Sequence, residues 1–428
     1  MDRGQAGFFE CSCREDRLTT LYIVRDCPYP PRSGSPLRSW QNINVLAKHG
    51  PVHLISIGHR EADATHVPIV ASWVHIDGAD YEAASGKLAS RTLRLLRSRQ
   101  FPLNDATATA ALNGRLARAI EDLRPDLIVL SHWANALPDA LKRRSNVVVD
   151  AHNIESILGT GVRDASGRAS SFPKRLKLWR WQRRERALFR GASRIWVTSD
   201  ADVERLRTLD RGLPPPVVWP NTLDLEYYRQ VRERSIAMPR DLRPNGATIV
   251  LVGLYGYKPN ARAAMTLLTE VFPHVTHRIP HARLLLVGKD PTPEMLAAAA
   301  TDDRVTVTGE VGDVRSYLAA ADVSVVALTE GGGTRVKILE AFAAKIAVVS
   351  SSKGIEGVEA EHEKELLISD DPSVMADYAT ALLEDEGKRL ALTARAFERV
   401  RSLYSWETLE QSLIPALPAA TRAALSRN

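Results

Sequence analysis

The chain has few cysteines, and their placement fits neither a disulfide framework nor a metal cluster. Cys11, Cys13 and Cys27 all lie near the N-terminus of the 428-residue sequence. An odd, sparse set is typical of a reducing compartment and excludes a small disulfide-stapled module. No second ligand pair follows Cys11 and Cys13, so a structural zinc site is not indicated.

Long apolar runs are also missing. A membrane-spanning helix needs about 18 consecutive apolar residues, and the sequence has no such run. Charged side chains are spread through residues 1–17, which does not fit the apolar middle of a secretory signal. We therefore expect a flexible leader over 1–17 and a cytoplasmic protein.

The G-x-G-x-x-G dinucleotide fingerprint is absent, which disfavours a nucleotide-dependent oxidoreductase or epimerase. The composition, with 44% hydrophobic and 25% charged residues, is that of a globular protein, and the length indicates two domains. A net charge of +6 favours anionic partners such as nucleotides, phosphorylated lipids, acidic glycans or nucleic acid.

Short β-branched runs alternate with helical patterns, which predicts α/β layers around parallel sheets. The predicted strands of the first half are Leu21–Val24, Val52–Ile57, Leu127–Leu130, Val147–Asp150 and Ile195–Thr198. Those of the second half are Ile249–Val252, Arg283–Val287, Val305–Thr308, Val323–Val326 and Ala347–Ser350. Each set is large enough for its own doubly wound sheet. A segment rich in proline and glycine, 210–246, separates the two sets and is interpreted as the inter-domain connection, with Val217–Val218 as a candidate last strand of the first sheet.

The most informative motif is the glycine turn 331–333 between a buried strand and a helix. Backbone N–H groups and the positive end of the helix dipole meet at such a turn, which makes it an anion site. Arg335 and Lys337 add two cations there, an arrangement that suits a bound diphosphate. Glu340 lies one turn into the helix, where it could accept hydrogen bonds from sugar hydroxyls. The alternative is a tight turn with solvated charges.

Further strand-end loops carry polar or glycine residues. The loop 253–260 contains Gly253, Lys258 and Asn260 and could hold a phosphate or a sugar. In the first half, His152 follows a strand together with Asp150, Asn153 and Glu155, and such a His can contact a sugar hydroxyl or a developing charge. Gly34 lies in a proline-rich loop before a helix predicted to begin near Leu37. That loop either touches a phosphate or an acceptor, or is a stiff connection.

The segment 174–190 is a basic helix with eight Lys or Arg residues, one acid and two tryptophans. Three interpretations stay open. The helix packs its aromatic face on its own domain with solvated cations, it lies on an anionic membrane, or it contacts nucleic acid.

The combined motifs resemble those of the group 1 glycosyltransferases, family four. The second half contains V-G-x5-P-N from Val252, V-T-G-x-V-x-D-V from Val307 and G-x-G-T-R-x-K-I-L-E-A from Gly331. D-A-H-N-x-E from Asp150 and W-P-N-T-x-D from Trp219 match as well. The resemblance covers roughly residues 19–410.

The resemblance implies a GT-B fold of two facing Rossmann-like doubly wound domains with a deep cleft between them. The expected divisions are a leader at 1–17, an acceptor-side domain at 18–222, a linker at 223–245, a donor-binding domain at 246–403 and a helix at 404–428 that crosses back to the first domain.

The resemblance also implies transfer of a sugar from a UDP- or GDP-linked donor, with retention at the anomeric carbon and without a metal or other cofactor. The implied catalytic residues are His152, Arg335 and Lys337. The implied donor-binding residues are Gly34, Gly253, Lys258, Asn260, Gly331, Gly333, Thr334 and Glu340. The family's usual E-x7-E pair is altered, because Gly332 occupies the first position and the nearest earlier glutamate is Glu330.

We expect a role in surface-polysaccharide or glycolipid synthesis, with a carbohydrate or lipid-linked acceptor and peripheral membrane contact through 174–190. Glycosylation of a small metabolite is the alternative acceptor chemistry. A non-catalytic nucleotide-sugar binding protein is the alternative of another class. Nucleic acid is not an expected partner.

Overall fold

A computed structural model describes residues 17–25, 27–31, 34–58, 67–77, 106–131, 137–154, 172–239, 242, 247–331 and 335–426. The chain divides into two compact units. The first unit contains Met1–Trp219 and Glu410–Asn428, and the second contains Pro220–Leu409. Each unit has its own parallel sheet and its own apolar core.

The sheet of the first unit has the strand order β3-β2-β1-β4-β5-β6-β7, and every pairing is parallel. Its strands are β1 (Thr20–Arg25), β2 (Val52–Gly58), β3 (Ser72–Asp77), β4 (Leu127–Ser131), β5 (Val147–Asp150), β6 (Arg194–Val197) and β7 (Pro216–Val218). The central strands are buried because helices cover parallel sheets on both faces.

Before Trp219, the described α-helices of this unit are α1 (Gly34–Ala47), α2 (Ala106–Leu123), α3 (Phe172–Arg190) and α4 (Asp200–Leu209). The end of the chain also packs here. The Trp196 indole donates a hydrogen bond to the Ala416 carbonyl at 2.9 Å, and the Thr421 hydroxyl donates one to the Asp126 carbonyl at 2.9 Å. These contacts attach the C-terminal residues to the first sheet.

The sheet of the second unit has the order β10-β9-β8-β11-β12-β13, again with parallel pairing. Its strands are β8 (Thr248–Val252), β9 (Arg283–Val287), β10 (Val305–Val307), β11 (Val323–Val326), β12 (Ala347–Ser350) and β13 (Leu367–Ile368). The order reverses between β8 and β11, which is where ligands bind in open α/β sheets.

The second unit has helices of four to eighteen residues, which follow the boundary at Pro220. They are α5 (Arg229–Arg232), α6 (Lys258–Thr266), α7 (Phe272–Arg278), α8 (Pro293–Thr301), α9 (Arg315–Leu318), α10 (Val336–Ala343), α11 (Pro372–Glu384) and α12 (Glu386–Leu403). The chain ends in α13 (Trp406–Gln411), α14 (Leu413–Ala416) and α15 (Ala419–Leu425). A 3-10 turn, Glu226–Tyr228, precedes α5, and a π-turn, Leu267–Val271, joins α6 to α7.

All ten strands predicted from apolar runs are present, Val217–Val218 lies in β7, and β3 and β13 were missed. Strand β3 at the sheet edge mixes polar residues with apolar ones, and β13 has only two residues, so neither produces an apolar run. Helix α1 begins at Gly34, three residues before the predicted Leu37. The prediction placed Gly34 in a loop, but Gly34 forms the first residue of this helix.

Candidate functional site

Strand β11 and helix α10 carry the charged motif of the second unit. All four residues of β11 are buried, and β11 pairs with β8 on one side and β12 on the other. Helix α10 follows, and its inner face is buried against the core through Ile338, Leu339, Ala341, Phe342 and Ala343. This packing fixes the start of the helix at the carboxyl end of the central strand.

Lys337 is hydrogen-bonded to Asn260 and lies beside Gly253. The Lys337 ammonium donates a hydrogen bond to Asn260 Oδ1 at 2.8 Å, and Asn260 Nδ2 donates one to the Leu254 carbonyl at 2.9 Å. A Cβ added at Gly253 would lie 3.4 Å from the Lys337 ammonium and 3.2 Å from the Asn260 amide. The absence of a side chain at Gly253 therefore keeps the space beside the ammonium open.

Arg335 lies at the beginning of the same helix and is 7% exposed. Its Nε donates a hydrogen bond to the Lys353 carbonyl at 3.5 Å, and its Nη2 lies 4.0 Å from Glu356 Oε2. A Cβ at Gly331, where φ is +103°, would lie 3.5 Å from the guanidinium and 3.0 Å from the Tyr257 hydroxyl. Gly331 therefore allows both side chains to approach the turn.

Glu340 lies one turn further along α10 and contacts Tyr228. The Tyr228 hydroxyl donates a hydrogen bond to Glu340 Oε1 at 2.8 Å. Burial raises the pKa of Glu340, and the Tyr228 hydrogen bond and the Lys337 charge oppose that rise. Burial, together with the nearby Glu340 charge, raises the pKa of Tyr228 well above its usual value, so Tyr228 stays a donor.

The electrostatics of this cluster make it receptive to an anion. Burial lowers the pKa of Lys337 to about 8, and the neighbouring Arg335 charge contributes to the shift, whereas Glu340 opposes it. A bound anion would restore the preference for the charged ammonium. Two cations, backbone amides at a helix start and one carboxylate are the groups that a nucleoside diphosphate needs.

The structure does not bring every predicted donor-binding residue into this bonded group. Lys258 is the first residue of α6 and is exposed. Gly333 and Thr334 lie outside the described residues. Glu330, the nearest earlier glutamate, is bound by Arg262 at 2.6 Å in an exposed ion pair.

In the first unit, His152 belongs to a buried polar network around Asp150. His152 Nε2 lies 3.2 Å from Asp150 Oδ2 and 3.0 Å from the Ser131 hydroxyl. Arg38 donates two hydrogen bonds to Asp150 Oδ1, at 2.6 and 2.9 Å, and Asn42 donates one to Oδ2 at 2.9 Å. The Asp150 carboxylate therefore anchors His152 from within the fold.

The charged groups of this network are the Arg38 guanidinium and the Asp150 carboxylate, which form a buried ion pair. Burial opposes ionisation of Asp150, but Arg38 and His152 outweigh it and hold its pKa far below the usual range. Burial lowers the pKa of His152, although Asp150 opposes the shift. The net downward shift of the pKa favours the neutral imidazole. Gly34, at the start of α1, has open space where a Cβ would stand, and Glu155 lies outside the described residues.

Helix α3 confirms the predicted basic helix and shows how its last turns pack. Leu188 and Phe189 are buried in the first core, while Trp179 is 51% exposed. The Arg183 guanidinium lies over the Trp179 ring, 5.7 Å from its centroid. The apolar side of the final turns is thus buried against the core of the first unit. The pair formed by Trp179 and Arg183, earlier in the helix, faces solvent. No helix in the described part of the chain is long and apolar enough to cross a membrane.

Two family models match the chain. The model described as "Glycosyl transferase 4-like domain" matches residues 58–222, and the one described as "Glycosyl transferases group 1" matches residues 246–385. Together they cover more than two thirds of the sequence. The chain belongs to the group 1 glycosyltransferases, which confirms the resemblance of the sequence motifs.

Curated relatives include mannosyltransferases. A GDP-mannose-dependent alpha-(1-6)-phosphatidylinositol monomannoside mannosyltransferase of Mycobacterium tuberculosis is 32% identical over 166 residues, which is 36% of this chain and 43% of the relative. A phosphatidyl-myo-inositol mannosyltransferase of Mycolicibacterium smegmatis is 29% identical over 174 residues, 40% of this chain and 44% of the relative. The chain thus matches less than half the length of these curated relatives.

Among solved structures, sucrose-phosphate synthase from Thermosynechococcus elongatus is similar with a TM-score of 0.65 and 16% identity. The match covers 96% of this chain and 100% of that chain. Similarity at this identity shows the fold alone. The two parallel-sheet α/β units therefore confirm the predicted GT-B fold class.

Tyr228, Arg38 and Tyr257 had no role in the sequence analysis. Tyr228 lies 112 residues before its partner Glu340, and Arg38 lies 112 residues before Asp150. Contacts of such long sequence separation leave no local spacing pattern. The one available signal was the Tyr227–Tyr228 pair in a segment otherwise interpreted as a connection.

Proposed function

We propose that the protein transfers mannose from GDP-mannose to a lipid-linked acceptor, with retention of the anomeric configuration. The observation that carries this proposal is the group formed by Arg335, just before α10, and Lys337 and Glu340 on α10, after the central strand β11. Guanosine is chosen over uridine as the donor base, and mannose as the sugar, because the curated relatives are GDP-mannose-dependent enzymes or mannosyltransferases acting on phosphatidylinositol lipids.

Each residue has a defined part in this proposal. Arg335 and Lys337 neutralise the diphosphate as it becomes the leaving group, which stabilises charge where it develops. Glu340 accepts hydrogen bonds from the ribose. Gly253, Asn260 and Gly331 shape the space around the diphosphate. For Lys258, and for Gly333 and Thr334 outside the described residues, donor binding stays a prediction from the sequence. In the first unit, His152 contacts the donor sugar and Gly34 allows backbone approach.

The proposed chemistry needs no protein nucleophile. The acceptor hydroxyl attacks from the face that the leaving phosphate vacates, and that phosphate takes the hydroxyl proton. A covalent sugar adduct on an Asp or Glu, found by intact-protein mass spectrometry, would contradict this step. We also propose that no metal is required, so turnover should be unchanged by EDTA.

The first test is a donor panel. Purified protein is heated with GDP-mannose, UDP-glucose and other nucleotide sugars, and the melting temperature is measured for wild type and for Arg335→Ala. We expect GDP-mannose to raise the melting temperature of the wild type and the shift to be lost in the variant. Arg401→Ala, which removes an exposed guanidinium paired with Glu398, is the matched control and should keep the shift.

Turnover then separates the acceptor classes. Transfer of mannose to a phosphatidylinositol-type lipid, followed by mass spectrometry, is the expected result. Transfer to a soluble small molecule alone would favour the metabolite alternative. Donor binding without transfer to any acceptor would indicate a non-catalytic nucleotide-sugar binding protein.

Helix α3 supports a peripheral position at the inner face of the membrane in this proposal. The exposed Trp179 and the Arg183 above it combine an interfacial aromatic ring with a cation, which suits an anionic lipid surface. Sedimentation with phosphatidylglycerol vesicles should fall for Trp179→Ala. Leu390→Ala, at a site 59% exposed in the second unit, should leave it unchanged. Equal binding by both variants would remove α3 from the proposal.

A further inference from the structure

The short helical segment 225–234 lies against helix α10 and contacts it at two points. Tyr228 bonds to Glu340 at 2.8 Å in the middle of the helix. Arg232 donates hydrogen bonds to the Ala343 carbonyl at 3.0 Å, at the helix end, and to the Leu225 carbonyl at 2.8 Å. The segment is therefore fastened to the element that carries the proposed donor contacts.

We propose that Tyr228 is a positioning residue that holds the Glu340 carboxylate in the orientation needed by the ribose hydroxyls of the donor nucleotide. This inference rests on the proposed function, because it takes Glu340 as the ribose contact. In this proposal Tyr228 has no contact with the donor and acts on it through Glu340.

The surroundings of Tyr228 leave it little freedom to rotate. Its side chain is 3% exposed and packs edge-on against the Tyr227 ring, with centroids 5.3 Å apart. The Arg315 guanidinium lies over the Tyr227 ring, 3.7 Å from its centroid, and donates a hydrogen bond to the Tyr227 carbonyl at 3.0 Å. Asp313 in turn binds Arg315 at 2.7 Å. A donor fixed in this way fixes its acceptor.

The Glu340 carboxylate keeps hydrogen-bond acceptor sites for the ribose hydroxyls while it is bonded to Tyr228. An ionised carboxylate has about four acceptor sites on its two oxygens. Tyr228 uses one site on Oε1, so Oε2 can receive the two hydroxyls of a ribose. The hydrogen bond also favours the ionised carboxylate against the burial that raises its pKa. Loss of the Tyr228 hydroxyl would leave Glu340 both less oriented and easier to protonate.

The test compares GDP with 2′,3′-dideoxy-GDP by calorimetry, because their affinity ratio reports the ribose contact alone. We expect wild type to prefer GDP by about tenfold, the size of a good hydrogen-bonded contact to a charged group. Tyr228→Phe keeps the ring and should reduce this preference at least about threefold, because the Glu340 carboxylate loses the hydroxyl that orients it. General weakening of the fold would lower both affinities and leave the ratio unchanged.

Tyr227→Phe is the matched control, because it removes the neighbouring hydroxyl and keeps the ring beneath Arg315, so its ratio should equal that of wild type. In a Glu340→Ala background, which has no side-chain acceptor for Tyr228 to position, the Tyr228→Phe change should have no further effect on the ratio. An unchanged ratio in Tyr228→Phe, or additive effects in the double variant, would overturn the inference and leave the proposed function standing. Wild type without ribose preference would overturn Glu340 as the ribose contact. Wild type that binds no nucleotide would overturn both.

Discussion

Lys337 illustrates how a single side chain can make donor affinity depend on pH. Burial and the neighbouring Arg335 lower its pKa to about 8, so the ammonium loses its proton as the pH rises through 8. A diphosphate favours the charged form and raises that pKa on binding. Affinity for GDP-mannose should therefore be full below about pH 7 and should fall as the pH rises through 8, because binding must then take up a proton.

Lys337→Arg is the variant that isolates this effect. Arginine stays charged throughout this range, so its affinity should be nearly constant with pH. The measurement is calorimetric titration with GDP-mannose at several values from about pH 6.5 to about pH 8.8, in two buffers of different ionisation enthalpy to count protons. An equally steep decline in Lys337→Arg would assign the pH dependence to another group.

At the scale of elements, the sequence predicts those strands, helices and turns that local residue patterns determine. The buried strands β5, β8 and β11 are rich in apolar β-branched residues, and the glycine turn after β11 indicates an anion site through its residue types alone. The polar edge strand β3 lacks such a pattern. The group joining Lys337 to Asn260 needs the sheet order, since the two residues are 77 positions apart.

The loops at the ends of β8 and β9 meet so closely that only glycine fits at one position. A Cβ at Gly288, where φ is +143°, would lie 1.8 Å from the Gly253 carbonyl oxygen. Gly288→Ala must therefore displace the loop that borders Lys337 and Asn260. We expect a loss of about 3 kcal/mol or more in unfolding free energy, from backbone clash and strain together, and weaker GDP-mannose binding.

Gly312→Ala is the control for that change, because a Cβ there meets open space. Chemical denaturation followed by fluorescence gives the unfolding free energies, and calorimetry gives the affinities. If Gly288→Ala matched Gly312→Ala in both measurements, the close approach of the two loops would not exist in solution.

At the scale of the whole molecule, the two units have separate cores and separate sheets, and the proposed donor contacts on α10 belong to the second unit. Ligand binding stabilises the part of a protein that it contacts by mass action, and local stability appears as slowed amide exchange. Saturating GDP should therefore slow hydrogen exchange most strongly in peptides covering 253–260 and 335–343. Strand β4 of the first unit, already buried at every residue, provides an internal reference.

The same experiment on Arg335→Ala tests whether the protection depends on the proposed diphosphate contact. We expect the slowed exchange at 335–343 to disappear in this variant, while β4 exchanges as in wild type. Protection confined to the first unit, or protection at 335–343 that survives the substitution, would place the nucleotide elsewhere. Because exchange is recorded along the whole chain, that outcome would also identify the peptides that do bind it, and the roles of Arg335, Lys337 and Glu340 would have to be given up together.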